Sequence, residues 1–324
     1  MNRDDNDIQV SVCVVTYNQE KYIAECLDSL VTQQTSFKFE IIVGEDGSTD
    51  TTRAIVQQYV DKYPDLIVPI FHIENVGALE NIAQVYKKAR GKYIAHVDGD
   101  DMALPSKLQK QFDVLEANPD CSICVHNMKA MDSESRYMKE DFRLSDERKY
   151  KLLDLYLINV LFIHSSKMFI NKTDDYMGGE TRLLQLDTEF HIAQAKQGNI
   201  YFIKESLGVY RQFVGVTYEN SFVSSFVRDR IVHIYENIDE SYFTDDELNQ
   251  IQEKYARTLL EYAYQCAVSI KDKELFREYV FKSWETKKIG VISYVFRASL
   301  VNPELSFVLL NLRRKLREKL GAGK

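Results

Sequence analysis

The valine-rich run at residues 10–17, uncharged throughout, is the feature that most narrows the fold. An apolar run without strict alternation is what a strand buried on both faces shows. Asn18-Gln19-Glu20 follow, and then Tyr22, Ile23, Cys26, Leu27, Leu30 and Val31 recur at helical spacing. The unit repeats. Residues 39–43 lead into Glu45-Asp46-Gly47-Ser48-Thr49-Asp50, a turn able to cap a helix that runs to about residue 63, before Pro64. Residues 66–73 predict a third strand and 77–89 another helix. Residues 92–97 predict a fourth strand, ending in Asp98-Gly99-Asp100-Asp101. Pro105 opens a helix to about residue 117, and 121–126 predict a fifth strand. Strands alternating with helices in this way make βαβ units: an α/β, Rossmann-like and mainly parallel sheet flanked by helices. Ligands of such sheets bind at the carboxyl ends of the strands. The polar clusters after Tyr17, Val43 and Val97 all fall at such ends.

The rest of the chain is less regular. Residues 128–149 are highly charged, lack periodicity and read as a loop or inserted segment. The pattern then predicts a helix over 152–161, a strand over 167–170, and a helix over 183–197 stopped by Gly198. Short strands follow over 199–203 and 207–212. From Ser221 onward it is helical, over about 222–238, 244–270, 272–286 and 304–320. This divides the chain into an α/β domain, 1–215, and a helical C-terminal region, 216–324.

Composition sets outer limits. The 324 residues are 45% hydrophobic and 28% charged, as in an ordinary globular protein. The formal charge of −8 speaks against wholesale nucleic-acid binding. From Lys287 to Lys324 there are nine Lys/Arg and two acids, a net of +7, which leaves −15 on the remainder. A basic tail on an acidic body suggests an anionic partner surface. Cys121-Ser-Ile-Cys124 has the spacing of a metal or redox pair, but it lies within an expected strand with no second pair to complete a zinc site. The five scattered cysteines suit a reducing compartment. The polar, acidic start is unlike a signal peptide, and no run reaches the roughly 18–20 apolar residues of a membrane span.

The acidic cluster Asp98-Gly99-Asp100-Asp101 carries the strongest chemical signal. Carboxylates at a strand end can hold Mn²⁺ or Mg²⁺, which then bridges the phosphates of a nucleotide. Gly99 permits the tight turn this needs. A solvated acidic turn is the bland alternative, and three acids in four residues directly after a buried strand tell against it. Asp46 can accept a hydrogen bond from a base N–H, whereas Asp50 reads better as a helix cap. Tyr17 can stack on a base and Asn18 can turn the chain.

Three segments together resemble the family 2 glycosyltransferases of the GT-A fold: residues 12–18 (Val-Cys-Val-Val-Thr-Tyr-Asn), 45–50, and 91–101 (Gly-Lys-Tyr-Ile-Ala-His-Val-Asp-Gly-Asp-Asp). The resemblance covers about residues 9–215. It implies that Thr16, Tyr17 and Asn18 border a nucleoside pocket and that Asp46 contacts uracil. It further implies that Asp98, with Gly99, faces the ribose, that Asp100 binds Mn²⁺ or Mg²⁺, and that Asp101 orients the donor sugar or the acceptor. The family's catalytic base lies near the start of a helix some 85–90 residues further on, which points to Asp187, with Glu189 its rival. Arg211, in Tyr210-Arg211, matches a segment whose arginine can pair with diphosphate. Phe213 stands where the family often has His. His164 reads better as a structural histidine.

The activity so implied is inverting, metal-dependent transfer of a hexose or N-acetylhexosamine from a UDP-sugar. The acceptor would be a saccharide or lipid-linked saccharide, as in bacterial O-antigen or capsule assembly. A haloacid-dehalogenase phosphatase wants its acidic motif at the first strand, and a nucleotidyltransferase wants a glycine-rich first loop; residues 10–19 contain no glycine. A non-catalytic nucleotide-sugar-binding or scaffold protein is the remaining alternative. The basic tail has two readings: an amphipathic helix on the inner face of the cell membrane, or a packed terminal helix or homodimer contact. Either keeps the protein cytoplasmic.

Overall fold

The computed structural model describes residues 8–132, 134, 136–141, 146–158, 161–172, 186–212, 218–219 and 222–298. They fall into two compact units, Met1–Gly215 and Val216–Lys324.

The first unit alternates strand and helix through β1 (Val10–Thr16), α1 (Ile23–Val31), β2 (Phe39–Glu45), α2 (Thr52–Lys62), β3 (Ile67–Phe71), α3 (Ala78–Lys88) and β4 (Tyr93–Asp98). It continues with β5 (Met102–Ala103), α4 (Lys107–Ala117), β6 (Cys121–Met131), β7 (Tyr137–Asp141), β8 (Arg148–Tyr150), α5 (Leu152–Leu157), a 3₁₀ turn (His164–Ser166), β9 (Met168–Ile170), α6 (Asp187–Ala195) and β10 (Asn199–Arg211). One sheet runs β3-β2-β1-β4-β9-β6-β10-β5, with β7 on β6 and β8 on β10. The block β3-β2-β1-β4 is parallel, and so is the pair β6–β10, while β9 is antiparallel to both β4 and β6.

Strands 2 and 3 lie to one side of β1 and strand 4 to the other. The chain therefore changes direction across the sheet between β1 and β4, and the carboxyl ends of these two strands flank the crevice such a reversal leaves. Val15 stands opposite Asp98, and Thr16 opposite Glu45. The strands hold this register because both faces are buried: Val12 and Val14 pack with Leu27 and Leu30 of α1, Ile41 and Val43 of β2, and Ala95 and Val97 of β4.

Several segments differ from the periodicity reading. Residues 128–149 are not a loop: β6 runs on to Met131 and pairs with β7, and β8 pairs with β10. The added strands lie at the sheet margin, where an edge strand rich in charge has no apolar period to betray it. The two short strands expected over 199–212 are one strand with register shifts, between Ile203 and Ser206 and again between Ser206 and Gly208. Helix α5 ends at Leu157, short of 161, and α6 begins at Asp187.

The second unit holds a short hairpin, Tyr218–Glu219 with Phe222–Val223, and helices α7 (Ser225–Glu236), α8 (Asp245–Gln265), α9 (Lys273–Thr286) and α10 (Gly290–Ala298). Thr244 and Glu247 form a reciprocal capping box at the start of α8. The helix ends in a π turn, Cys266–Ile270, closed by Lys271 at φ 59°. Ala256, Leu259, Ala263, Phe276, Tyr279 and Val280 form its core. Helix α10 was not expected from the pattern. Phe213 and the basic helix expected over 304–320 lie outside the described residues. Among the described residues, no helix is long and apolar enough to cross a membrane.

Gly44 on β2 sits where helix α3 crosses the sheet. Asn81 Nδ2 donates to the Gly44 carbonyl at 2.9 Å, and a Cβ at Gly44 would collide with the side chains of Asn81 and Val85. Gly44→Ala should therefore cost about 1–3 kcal/mol by overpacking. Urea unfolding will register this as a lower midpoint with an unchanged slope.

Candidate functional site

Three loops meet at the ends of β1, β2 and β4. Thr16 O accepts from Asp46 N at 3.0 Å, and Val15 O accepts from Gly99 N at 2.9 Å. Gly99 has no room for a side chain, because a Cβ would strike Gln19 and Thr16. Thr16 Oγ1 donates to Gln19 Oε1 at 2.8 Å, which shapes the turn out of β1. Asn18 takes φ 51°, a region in which Asn is one of the more tolerated residues. Its Oδ1 accepts from Thr49 N at 2.9 Å, and its N–H donates to Ser48 Oγ at 3.0 Å. Asn18 thus ties the first loop to the second, and Tyr17 beside it is 43% exposed at the surface.

In the second loop, Asp46 is buried. Its two oxygens accept from Val76 N at 2.7 Å and Gly77 N at 3.1 Å. A carboxylate has about four lone-pair sites, so this orientation leaves acceptor capacity for a ligand N–H. Glu45 is the residue spent on the scaffold: Ser48 N donates to Oε1 at 2.6 Å and Arg53 Nε to Oε2 at 2.5 Å. Asp50 is not the cap of α2, which is Thr51; it stands one residue earlier and accepts from Thr52 N, the first N–H of the helix, at 2.9 Å.

The third loop carries the acids. The side chain of Asp98 is half-buried between two donors. His96 Nε2 lies 3.0 Å from Oδ1, and Ser165 Oγ donates to Oδ2 at 2.9 Å while accepting from Asp98 N at 2.9 Å. A carboxylate only accepts, so Nε2 of His96 carries the proton and Nδ1 accepts from Tyr86 Oη at 2.9 Å. Burial holds His96 below the usual imidazole range, so it is a neutral donor at pH 7. Burial also works against the charged form of Asp98, but His96 and then Ser165 outweigh it, and the carboxyl lies below the ordinary range.

Asp100 is pushed up to about 6, first by burial and then by the Asp98 charge. Asp101 is deeper still, 1% exposed, and burial followed by its two acidic neighbours raises it well above the ordinary value. Its Oδ1 accepts from Arg211 N at 2.9 Å, and its Oδ2 has no hydrogen-bond partner among the described residues. Arg211, at the end of β10, is buried. It donates to the carbonyls of Asp100 and Asp132 at 3.1 Å each and to Glu25 Oε2 at 2.7 Å, and it lies 4.4 Å over the Tyr22 ring.

Asp187 opens helix α6 with its side chain 64% exposed. It is nevertheless crowded on its protein side: burial first, then the Asp98 charge, push its carboxyl up to about 6, against the pull of Lys167. Its Oδ1 lies 3.5 Å from Nδ1 of the buried His164. Glu189, the rival base, turns back to cap the same helix, with its Oε2 accepting from Leu186 N at 2.8 Å.

Of the layer behind the carboxylates, sequence reasoning named only His164, as a structural histidine. His96, His164, His191 and Lys167 are all buried there. The ring centroids of His96 and His164 are 4.0 Å apart, and His164 Nδ1 is 3.1 Å from His191 Nε2. Lys167 donates to Gln194 Oε1 at 3.3 Å and is pulled down to about 7 by burial, opposed by Asp187 and Asp98. The available signal was titratable residues at inward positions of otherwise apolar stretches, as in Tyr93-Ile94-Ala95-His96-Val97.

The donor set suits a cation only in part. Among the described residues, no group of three or more His, Cys, Asp or Glu is placed to hold a metal. Asp98 already has two donors and Asp101 is deeply buried, which leaves Asp100 at the cleft with a carboxylate whose negative charge is disfavoured. One or two carboxylates suffice for an ion that takes its remaining ligands from substrate phosphates and water. The residues therefore fit a cation held jointly with a diphosphate and do not form a closed cage.

Ser165→Ala removes the hydroxyl that bridges Asp98 N and Oδ2. The expected loss is about 1–3 kcal/mol in urea unfolding at pH 7. The Asp98 carboxyl is depressed, so its stabilisation is present above the unfolded-state value and disappears as pH falls through the folded one. The gap between variant and wild type should accordingly narrow in acid.

The family described as Glycosyl transferase family 2 matches residues 11–177, just over half of the chain. An uncharacterized protein of Mycobacterium tuberculosis is 32% identical over 204 residues, 63% of this chain and 58% of that protein. The chain thus spans less than two thirds of that relative. An uncharacterized glycosyltransferase of Methanocaldococcus jannaschii is 33% identical over 165 residues, 50% of this chain and 56% of that one. Among solved structures, S. aureus TarS 1-349 in complex with UDP-GlcNAc superposes with a TM-score of 0.66 at 19% identity, covering 95% of this chain and 92% of that one. A mannosyltransferase from Pyrobaculum calidifontis in complex with GDP-Man and Mn²⁺ superposes with a TM-score of 0.53 at 14% identity, over 100% and 90% of the two chains. These likenesses establish the α/β GT-A architecture.

Proposed function

The chain belongs to glycosyl transferase family 2, and from that premise we propose that it transfers a hexose or N-acetylhexosamine, with inversion, from a UDP-sugar to a hydroxyl of a saccharide or lipid-linked saccharide. The observation that carries this reading is that one short turn joins the acids: Ser165 Oγ donates to Asp98 Oδ2 at 2.9 Å, and its neighbour His164 lies 3.5 Å from Asp187 Oδ1.

In this reading the nucleoside lies over the ends of β1 and β2. Tyr17 offers a stacking face, Thr16 and Asn18 border the pocket, and Asp46, already oriented by Val76 N and Gly77 N, accepts from the base. Asp98 and Gly99 face the ribose. Asp100 holds Mn²⁺ or Mg²⁺ jointly with the diphosphate; when bound, the ion offsets the charge of the leaving group. Asp101 and Arg211 act through the loop. The Arg211 N–H donates to Asp101, and the guanidinium braces the Asp100 carbonyl, so Arg211 reaches diphosphate only if its pairing with Glu25 loosens.

Asp187 takes the proton of the acceptor hydroxyl as that oxygen bonds the anomeric carbon. The bond to the diphosphate oxygen breaks, and its electron pair leaves with the nucleotide. A pKa of about 6 keeps Asp187 mostly ionised at pH 7 yet more basic than an ordinary aspartate, which suits a general base. Work on polysaccharide at the cytoplasmic face of a membrane, with the basic C-terminal segment as anchor, fits the +7 charge of residues 287–324.

The test is calorimetric titration of UDP-, GDP- and dTDP-sugars with Mn²⁺ and then with EDTA. One UDP-sugar should bind in a metal-dependent way, and Asp100→Ala should abolish that binding. Folded protein that binds no donor would favour the non-catalytic alternative. Asp187→Asn should bind donor as wild type does and lose transfer by at least roughly a hundredfold. Normal transfer by that variant would remove Asp187 from the role of base.

A further inference from the structure

Behind Asp187 lies a pair of buried histidines to which the proposed reaction assigns no task. His164, on the 3₁₀ turn, is 5% exposed, and His191, one turn into α6, is 6% exposed. His164 Nδ1 lies 3.1 Å from His191 Nε2 and 3.5 Å from Asp187 Oδ1. The His164 Nε2 atom, on the far side of the ring, is buried with no hydrogen-bond partner among the described residues.

These distances fix the tautomer. A proton on Nε2 would be a buried donor with nothing to receive it, which costs about 1–3 kcal/mol. It would also leave the Nδ1 lone pair facing a carboxylate oxygen. A proton on Nδ1 avoids both penalties and finds two acceptors, the His191 nitrogen and the Asp187 oxygen. Burial, then the neighbouring His96, Lys167 and His191, hold His164 well below the ordinary imidazole range, so this proton is shared by a neutral ring.

We propose that His164 is the positioning residue for Asp187: its single Nδ1–H is divided between His191 and the Asp187 carboxylate, moving toward the carboxylate while it is charged and back to His191 once it has taken a proton. This rests on the reading of Asp187 as the base. At 3.5 Å the approach to Asp187 is not yet a formed hydrogen bond; catalytic hydrogen bonds often tighten only when substrate is bound. His191 keeps the donor satisfied in the meantime. No net proton passes through the histidines; the hydroxyl proton stays on Asp187 until the product leaves. The other charges facing Asp187 are Asp98, which raises its carboxyl, and Lys167, which lowers it. His164 itself faces His96, Lys167 and His191.

The two histidines then act in opposite senses, which a merely structural pair would not do. His164→Leu removes the donor to the charged form, so the Asp187 midpoint should rise. His191→Phe keeps the ring packing against Phe162, whose centroid is 4.2 Å away, but removes the competing acceptor, so the midpoint should fall. His164→Asn returns an N–H near the Nδ1 position and should restore the midpoint toward wild type. The measurement is carbon-13 NMR of the full chain labelled at the aspartate carboxyls, with the Asp187 signal identified by its loss in Asp187→Asn. In parallel, UDP release from the UDP-sugar that calorimetry identifies, with Mn²⁺ and water as acceptor, should show kcat down roughly tenfold or more in His164→Leu at an unchanged donor KM. Midpoints that stay put, or that move the same way in both folded variants, would overturn the proposal, as would the expected midpoints with unaltered UDP release. A wild-type chain that binds no nucleotide sugar would sink the functional reading instead, while the midpoints would still decide the hydrogen bond.

Discussion

Everything at the mouth of β1 and β4 follows from the difficulty of keeping carboxylates charged in a site that is only partly wet. The Asp98 charge raises the cost of ionising Asp100, Asp101 and Asp187, and that of Asp100 adds to the cost for Asp101. Burying a charge without hydrogen-bonding partners is prohibitive, and the usual outcome is a shifted pKa and a neutral group. The fold resolves the conflict unequally. Asp98 receives a donor on each oxygen and stays acidic. Asp101 receives one backbone N–H, and burial raises its carboxyl well above the ordinary range. Asp100 and Asp187 lie between these limits, near 6, where a modest change in surroundings converts either one.

Supplying those donors fixes the scaffold behind the site. Ser165 and His164 come from one short turn, and that turn is held from below. Gln111 on α4 donates to Ser166 O at 2.9 Å and to Cys124 O at 2.8 Å, and its own carbonyl accepts from the buried Lys107 at 2.9 Å. Lys107, drawn down to about 7 by burial, is an expensive way to orient an amide. The arrangement makes sense if the position of the turn, to within tenths of an ångström, decides whether Asp98 and Asp187 keep their partners. Strand β9, wedged antiparallel between β4 and β6, follows directly from the turn and carries it against the end of β4.

The parts of this design legible in the sequence were those with a period or a local motif. The buried valines of β1, the turn at 45–50 and the acids after β4 announce themselves, because strand burial and loop chemistry are written in adjacent residues. Glu189 was separable from Asp187 only in principle, by helix geometry; the structure shows it spent on the cap. Of the histidine layer, only His164 was legible, as a structural histidine; its assembly was not. His96, His164 and His191 stand in apolar surroundings 68 and 27 residues apart along the chain, and only β9 and α6 bring them together. Strand β7 failed for the opposite reason: at the sheet margin it carries charge on consecutive residues and leaves no hydrophobic signature.

The chemistry chosen for the supporting layer also bears on what the cleft can accept. The groups that contact Asp98 and Asp187 are neutral: an imidazole N–H, a hydroxyl and a second imidazole. A lysine or arginine in their place would hold the carboxylates as firmly, but it would cancel their charge. The one guanidinium at the site, Arg211, is already matched to Glu25 at 2.7 Å and faces the loop backbone. On the proposed reading, the acids left uncancelled by these neutral donors would favour a diphosphate that arrives with a divalent cation over a bare one. Neutral donors thus do two things at once: they orient the acids, and they leave uncancelled the charge on which the proposed use of a cation-bridged nucleotide depends.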